Sequence, residues 1–261
     1  MNQNNITDLK KWFDDYVNGY CADDPVVNRS IILKKDHTLR VCRNIKMLGN
    51  KLNISGQDMI LAEVIALLHD IGRFEQFAVY GTFKDATSVN HAQLGLEVIR
   101  QHHLLSAWDT REQEIVIAAV AHHNVAVLPK DKDGATLFFM KLIRDADKLD
   151  IWKVVTDYYL NRDRGRNKTL ELDLSDGPEY SQKVLLALSE QKIVQINELK
   201  TLNDFKLLQL SWVYDLNFSF SFETLFEHGY IDRIAASLPK TDEIVSMVNQ
   251  VRRYAAAQQH P

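Results

Sequence analysis

Cysteine is nearly missing from this chain: Cys21 and Cys42 are the only two among 261 residues, and neither has a C-x-x-C partner. No disulfide framework follows from them. Proline and glycine are also scarce, at 5 and 10 residues, so little interrupts the long stretches in which apolar residues recur at helical spacing. No stretch approaches the roughly 20 consecutive apolar residues of a membrane span. The opening segment MNQNNITDLKKWFDDYV has neither the positive n-region nor the apolar h-region of a secretory signal. The expectation is therefore a cytoplasmic protein without a membrane partner. An excess of positive charge is absent too. The formal net charge is −4, which argues against holding a nucleic-acid polymer by general electrostatics. A local basic pocket for a small phosphorylated ligand needs no basic total.

What is present reads as ordinary globular composition, with 46% hydrophobic and 25% charged residues. The periodicity predicts an all-α protein. Thr7 caps a first helix carrying Leu9, Trp12, Phe13, Tyr16, Val17 and Tyr20 on one side. Asp36 caps a second helix, with Val41, Ile45 and Leu48 inward and Gly49 as its terminator. Ser55 and Asp58 form a capping box for a third helix, whose Ile60, Val64, Leu67, Leu68 and Ile71 face inward. A fourth helix begins near Asn90, a fifth spans about 112–123, and a sixth starts near Thr136 and runs past Val154. The polar segment 161–180 reads as a long loop, followed by helices near 180–190, 201–214, 221–228 and 241–257. The alternating stretch KIVQIN (192–197) suits a short strand, but no second strand offers itself. The expected organisation is a catalytic helical core over residues 1–160 and a loop with a helical extension over 161–261.

The chemistry-bearing residues concentrate in the first part. Six of the nine histidines lie between positions 69 and 123, and His37 stands upstream. His69 and Asp70 directly follow the apolar run VIALL, where burying an imidazole and a carboxylate is costly unless something pairs with both. A metal ion suits both. His37 and Asp147 converge on the same point if their helices pack antiparallel, and His91 shares a face with Leu94, Gly95 and Val98. His122 and His123 end one helix in adjacent directions, and pattern alone does not separate them.

In this order, His37, His69-Asp70 within LLHDIGRFEQF, His91, His122 and Asp147 within LIRDADKLD, the chain resembles the HD superfamily of metal-dependent phosphohydrolases over about residues 30 to 155. The resemblance implies that His37, His69, Asp70 and Asp147 hold a first metal. It also implies that His91 and His122 belong to a second, with Asp70 bridging the two. HHNVAVLP stands where the cyclic-di-GMP phosphodiesterases of the HD-GYP branch have HHE and a following GYP, which disfavours that substrate. Imidazole and carboxylate ligands suit divalent Mn, Fe, Co, Ni or Zn, with Mg not separable from them, and no thiolate forces a choice. Two such ions about 3.5–4 Å apart share a hydroxide and clamp a phosphoryl group. Arg73, Arg144 and Lys148 are the candidate cations for phosphate oxygens, Lys148 being the weaker because it neighbours Asp147 rather than lying a turn away.

The expected function is phosphohydrolase or phosphodiesterase action on a nucleotide or small phosphorylated compound. The alternatives are a mixed-valence two-iron oxygenase of the same fold, such as myo-inositol oxygenase, and a degenerate sensor domain, against which the complete ligand set argues. The remaining residues receive plainer readings. His123 goes to substrate contact or simple exposure, His102, His103 and His228 to helix ends, and His260 to the tail. Asp145 and Asp150 go to a solvated helix face. The Arg162, Arg164, Arg166, Lys168 run is read as a charged loop rather than a phosphate gate. Trp212, Tyr214, Phe218, Phe220 and Phe222 are read as packing between extension and core, a homodimer contact being the other use of such a cluster.

Overall fold

Asp24 and Pro25 start the helix that carries the first histidine. The Asp24 carboxylate accepts from the Val26 amide at 2.7 Å, and Pro25 occupies the first helical position, where its missing N–H costs nothing. The computed structural model describes residues 3–162, 165–167 and 170–259. Its helices are α1 (Gln3–Asn18), α2 (Pro25–Lys51), α3 (Gly56–Leu68), α4 (Gly72–Tyr80), α5 (His91–Gln101), α6 (Thr110–His122) and α7 (Gly134–Leu160). They continue with α8 (Gln182–Ser189), α9 (Leu202–Ser211), α10 (Ser219–Glu227), α11 (Tyr230–Ala236) and α12 (Asp242–Ala257). The protein is all-α. The described residues include no strand, only an isolated bridge between Ser175 and Thr201. KIVQIN forms no strand; its Val194 amide donates to Ser211 Oγ at 3.0 Å instead.

Several expected helix ends move. Asp36 lies inside α2 rather than at its start, because Asp24 and Pro25 supply the stronger start signal. Gly49 lies inside α2 too: a Cβ there would meet Met59 Cε at 2.7 Å, so the glycine serves close packing and not termination. Helices α4 and α11 fall where none was expected. Ser55, by contrast, caps α3 as read, accepting from the Asp58 amide at 3.1 Å.

The chain divides into two compact units between Asp147 and Lys148, inside α7, rather than in the polar loop after residue 160. In the first unit α3 is the central element, buried at every position from Leu61 to Leu68. Leu61, Val64, Ile65, Leu67 and Leu68 each contribute at most about 1.5–3 kcal/mol of burial, roughly 8–15 kcal/mol together. That anchors α3 firmly enough for its end to carry a buried imidazole and carboxylate. Glu63, the one acid on this stretch, is buried between Lys10 at 2.7 Å and Lys46 at 3.0 Å.

The second unit is organised on α9, buried from Leu202 to Ser211. Trp152 Nε1 donates to the Gln209 carbonyl at 3.0 Å and Tyr159 donates to Gln209 Oε1 at 3.1 Å. The aromatic cluster packs here: Trp212 lies 6.1 Å from Trp152, and Tyr214 and Phe222 lie 4.9 and 6.5 Å from Tyr254. Glu171 is fully buried and takes Arg162 and Arg166, each at 2.6 Å. Those two arginines therefore have a structural use; Arg164, Lys168 and His260 lie outside the described residues. No helix among the described residues is long and apolar enough to cross a membrane.

Candidate metal centre

Three side chains meet where α2 crosses the end of α3. His37 lies on the inward stripe of α2 with Thr38, Val41 and Ile45. His69 caps the C-terminus of α3 and is fully buried, and Asp70 follows it, 3% exposed. Their ligand atoms lie within 4.8 Å of one another. Asp147, on α7, brings its Oδ1 to 3.1 Å from His37 Nε2 and 3.8 Å from His69 Nε2. A second group, Asp70, His91 and His123, is equally close. His91 is the first residue of α5, whose start is capped by Asn90 accepting from the Ala92 amide at 2.9 Å.

Asp70 divides between the groups. Its Oδ2 faces His37 and His69 at 3.6 and 3.9 Å, and its Oδ1 faces His91 and His123 at 3.3 and 3.7 Å.

The tautomers follow from the other ring nitrogen. His69 Nδ1 lies 2.8 Å from the Ala66 carbonyl, and His123 Nδ1 lies 2.8 Å from the Val120 carbonyl. His91 Nδ1 lies 2.6 Å from Asp85 Oδ2. Since carbonyl and carboxylate oxygens only accept, each Nδ1 carries the proton and each Nε2 presents a lone pair. Burial, helped at His91 by the nearby Arg73 charge, lowers His69 to about 4 and His91 to about 3, so both rings are neutral at pH 7. Burial alone would raise Asp70, yet Lys34 and the surrounding imidazoles hold it well below the usual carboxylate range. Burial is likewise outweighed at Asp147, which the His37 contact keeps ionised.

The Nε2 atoms of His69, His91 and His123 therefore converge without a hydrogen between them. His91 Nε2 and His123 Nε2 stand 2.9 Å apart, both aimed at a carboxylate oxygen. His69 Nε2 and Asp147 Oδ1 are shielded from solvent and unsatisfied by hydrogen bonds, with His37 Nε2 3.1 Å from Asp147 Oδ1. Orphaned buried acceptors of this kind cost about 1–3 kcal/mol each, and a cation satisfies all of them at once. Nitrogen and oxygen donors with no thiolate fit a divalent transition ion.

The expected residues fall out unevenly. His37, His69, Asp70, His91 and Asp147 come together. His122 is in neither group: its Nδ1 turns to the Ala118 carbonyl at 2.8 Å. His123 takes the place expected for His122, because it continues the buried stripe Val116, Ala119, Val120 of α6. The Arg144 guanidinium is buried and does not serve as an open cation. Its Nη1 donates to the carbonyls of His122, His123 and Val125 at 3.2, 3.2 and 2.5 Å, capping the end of α6. Lys148 belongs to the second unit, where it pairs with Asp215 at 2.5 Å. Arg73 stays at the centre, its Nε 3.4 Å from Asp70 Oδ1, while its Nη1 donates to Asp85, Gln76 and the Phe83 carbonyl.

Asp145 and Asp150, expected on a solvated face, are buried with interaction partners, since α7 is covered on nearly all sides there. His102 and His228 do end α5 and α10, packing on Trp12 and Tyr230.

Two residues of the centre escaped the sequence reading. Lys34 donates to Asp70 Oδ2 at 2.8 Å and passes over the Phe83 ring. It lies one helical turn before His37, and that spacing is the signal that would have found it. Asp85, from the loop between α4 and α5, supports His91 and left no signal in periodicity.

The comparison with protein-family models matches the HD domain over residues 35–152. No curated protein and no solved structure matches the chain. The match begins just before His37 and ends just after Asp147, enclosing both groups of donors. The segment that carries the candidate metal centre is thus the one that matches the HD domain.

Proposed function

We propose that this protein is a metal-dependent phosphohydrolase acting on a nucleotide or another small phosphorylated compound. The reading assigns one divalent ion to His37, His69, Asp70 and Asp147, and a second to Asp70, His91 and His123. The observation that carries it is Asp70, which turns one oxygen to each group beside His69 Nε2 and Asp147 Oδ1, two buried atoms that no hydrogen bond satisfies. Two ions held there would polarise a phosphoryl oxygen and provide a nucleophile at neutral pH.

The chain's own residues do the rest. The backbone carbonyls of Ala66 and Val120 and the Asp85 carboxylate keep three imidazoles in their ligating tautomer. Lys34 and Arg73 supply positive charge on either side of Asp70, their side chains 20% and 14% exposed and so open to an anion. Arg73 Nε has no hydrogen-bond partner. Charges fixed in advance stabilise the negative charge that builds on phosphoryl oxygens in the transition state. Both cations favour hydrolysis of a phosphate ester over oxygenation of a neutral polyol.

The test compares wild type, Asp70→Asn and Lys34→Ala. Asp70→Asn is expected to lose both ions by elemental analysis. Lys34→Ala is expected to keep them and to lose phosphate release by about 10²-fold or more, the range for a preorganised charge-stabilising donor. A folded Asp70→Asn variant with its full metal content overturns the metal assignment. If no phosphate ester is turned over without oxygen, while an iron-loaded sample consumes oxygen with a polyol or phosphonate, the two-iron oxygenase is the function.

A further inference from the structure

His69 and His123 are aimed by backbone carbonyls, which no substitution can turn into donors. His91 is aimed by a side chain. Asp85 Oδ2 accepts from His91 Nδ1 at 2.6 Å, and its Oδ1 accepts from Arg73 Nη1 at 2.8 Å and from Gln76 Nε2 at 2.9 Å. Gln76 is fully buried and its orientation is fixed: its Oε1 takes Arg73 at 2.8 Å, and its Nε2 also donates to Ser88 Oγ and the Val89 carbonyl, both at 2.9 Å. Asp85 is therefore an all-acceptor hub between two fixed donors and one imidazole, with Asn124 Nδ2 a longer contact at 3.4 Å from Oδ2.

We infer that Asp85 is the positioning residue of the second metal group, setting the His91 tautomer and so deciding whether that position can be filled. The inference rests on the metal reading above. An asparagine at 85 would have one oxygen where four donors, from Arg73, Gln76, His91 and Asn124, now converge. The guanidinium of Arg73 and the locked amide of Gln76 claim that oxygen, which leaves the new NH2 facing His91 Nδ1. Two donors cannot share that contact. The imidazole proton moves from Nδ1 to Nε2, with no net gain or loss of protons, and there it points at Asp70 Oδ1 and His123 Nε2, 3.3 and 2.9 Å away. A proton then occupies the place of the ion, and the metal-free site is internally satisfied. An alanine at 85 leaves Nδ1 to water and both tautomers accessible.

The near-isosteric substitution should thus harm metal binding more than the truncation, the reverse of what a residue that only packs the loop would give. Mn2+ titrations followed by electron paramagnetic resonance and elemental analysis read the stoichiometry of wild type, Asp85→Ala and Asp85→Asn. Nitrogen-15 NMR of the metal-free, histidine-labelled proteins reads the tautomer. Wild type is expected to take two ions. Asp85→Ala is expected to bind the second about 10- to 100-fold more weakly, as for other outer-shell partners of a metal-bound histidine. Asp85→Asn is expected to take one, with its His91 proton on Nε2. A wild type holding two ions beside an Asp85→Asn protein that also holds two, or whose His91 proton stays on Nδ1, overturns this inference alone. A wild type that takes fewer than two ions overturns the metal reading together with it.

Discussion

Gly72→Ala adds a single methyl group where α4 meets α5, and its consequences can be worked from the structure. The new Cβ would lie 2.3 Å from the His91 carbonyl oxygen and 2.5 Å from the Gly95 nitrogen. Ordinary contact begins near 3.4 Å, so the start of α5 must retreat by about 1 Å. All the atoms in the way are backbone, and no rotamer change relieves them. Overpacking costs about 1–3 kcal/mol, and a displaced helix belongs at the upper end. Alanine returns about 0.5–1 kcal/mol of the backbone entropy that glycine loses on folding. The net loss is about 2 kcal/mol, or roughly 4–8 °C in Tm for a unit of this size.

His91 moves with the start of α5, and a shift of about 1 Å far exceeds the ~0.2 Å tolerance of a metal–ligand distance. The group made by His37, His69 and Asp70 takes no imidazole from α5 and should survive. Gly72→Ala is therefore expected to hold one ion instead of two. Gly95→Ala is the control from the other side of the same crossing: its Cβ meets Ile71 Cγ2 at 3.4 Å and Val120 Cγ1 at 3.8 Å, both ordinary contacts. Urea unfolding and elemental analysis of the two variants provide the assay. A Gly72→Ala protein as stable and as metal-rich as wild type, or a Gly95→Ala protein equally damaged, would refute the reasoning.

Arg144→Met removes the donor that caps the end of α6, so a stability loss of about 2–3 kcal/mol is expected, together with weaker binding of the second ion through His123. If urea unfolding and metal titration are both unchanged, Arg144 does not hold that helix end. Burial alone would raise Glu171, but hydrogen bonds from Arg162, Tyr158 and Arg166 bring its carboxyl from 4.5 down to about 2. Because the folded value is the lower one, its contribution is complete above pH 4.5 and is lost as the pH falls toward 2. Glu171→Gln should cost about 2 kcal/mol at pH 7, less than a fully buried pair because Arg166 is half exposed. That difference should vanish by pH 2, and a gap that stays constant across this range counts against the pairing.

The all-helical class was legible because helical periodicity ran long with few glycines or prolines to break it. The errors came where two local signals competed. At α2 the Asp36 cap was plausible, but Asp24-Pro25 lies earlier and combines an acceptor with a preset φ, so the helix begins there. Gly49 resembled a terminator, yet its lack of a Cβ serves the approach of Met59. Helix α11 has only seven residues, too short for periodicity to register, and it follows Gly229 in the left-handed conformation that separates it from α10. KIVQIN alternates like a strand, but alternation alone makes none without a neighbouring edge to satisfy its backbone.

The site was legible to the extent that its residues sit on apolar faces, where polar groups demand an explanation. His69 and Asp70 stood out on that ground, and His37 and the Asp147 segment in the right order turned the pair into a metal reading. His123 was equally available, since it continues at i+3, i+4 and i+7 the stripe of Val120, Ala119 and Val116 that α6 buries; His122 lies about 100° away around the helix. Arg144 shows where such reasoning stops. Its position one turn before Asp147 fixes where the side chain starts but not where a long guanidinium ends. The exposed carbonyls at the end of α6 carry the negative pole of that helix, and a buried cation is more stable against them than facing an open cavity. Lys34, equally placed one turn from His37, turns instead to the Asp70 carboxylate. Spacing along a helix thus nominates the cations of a site, and the competing acceptors around it decide which of them remain for a substrate.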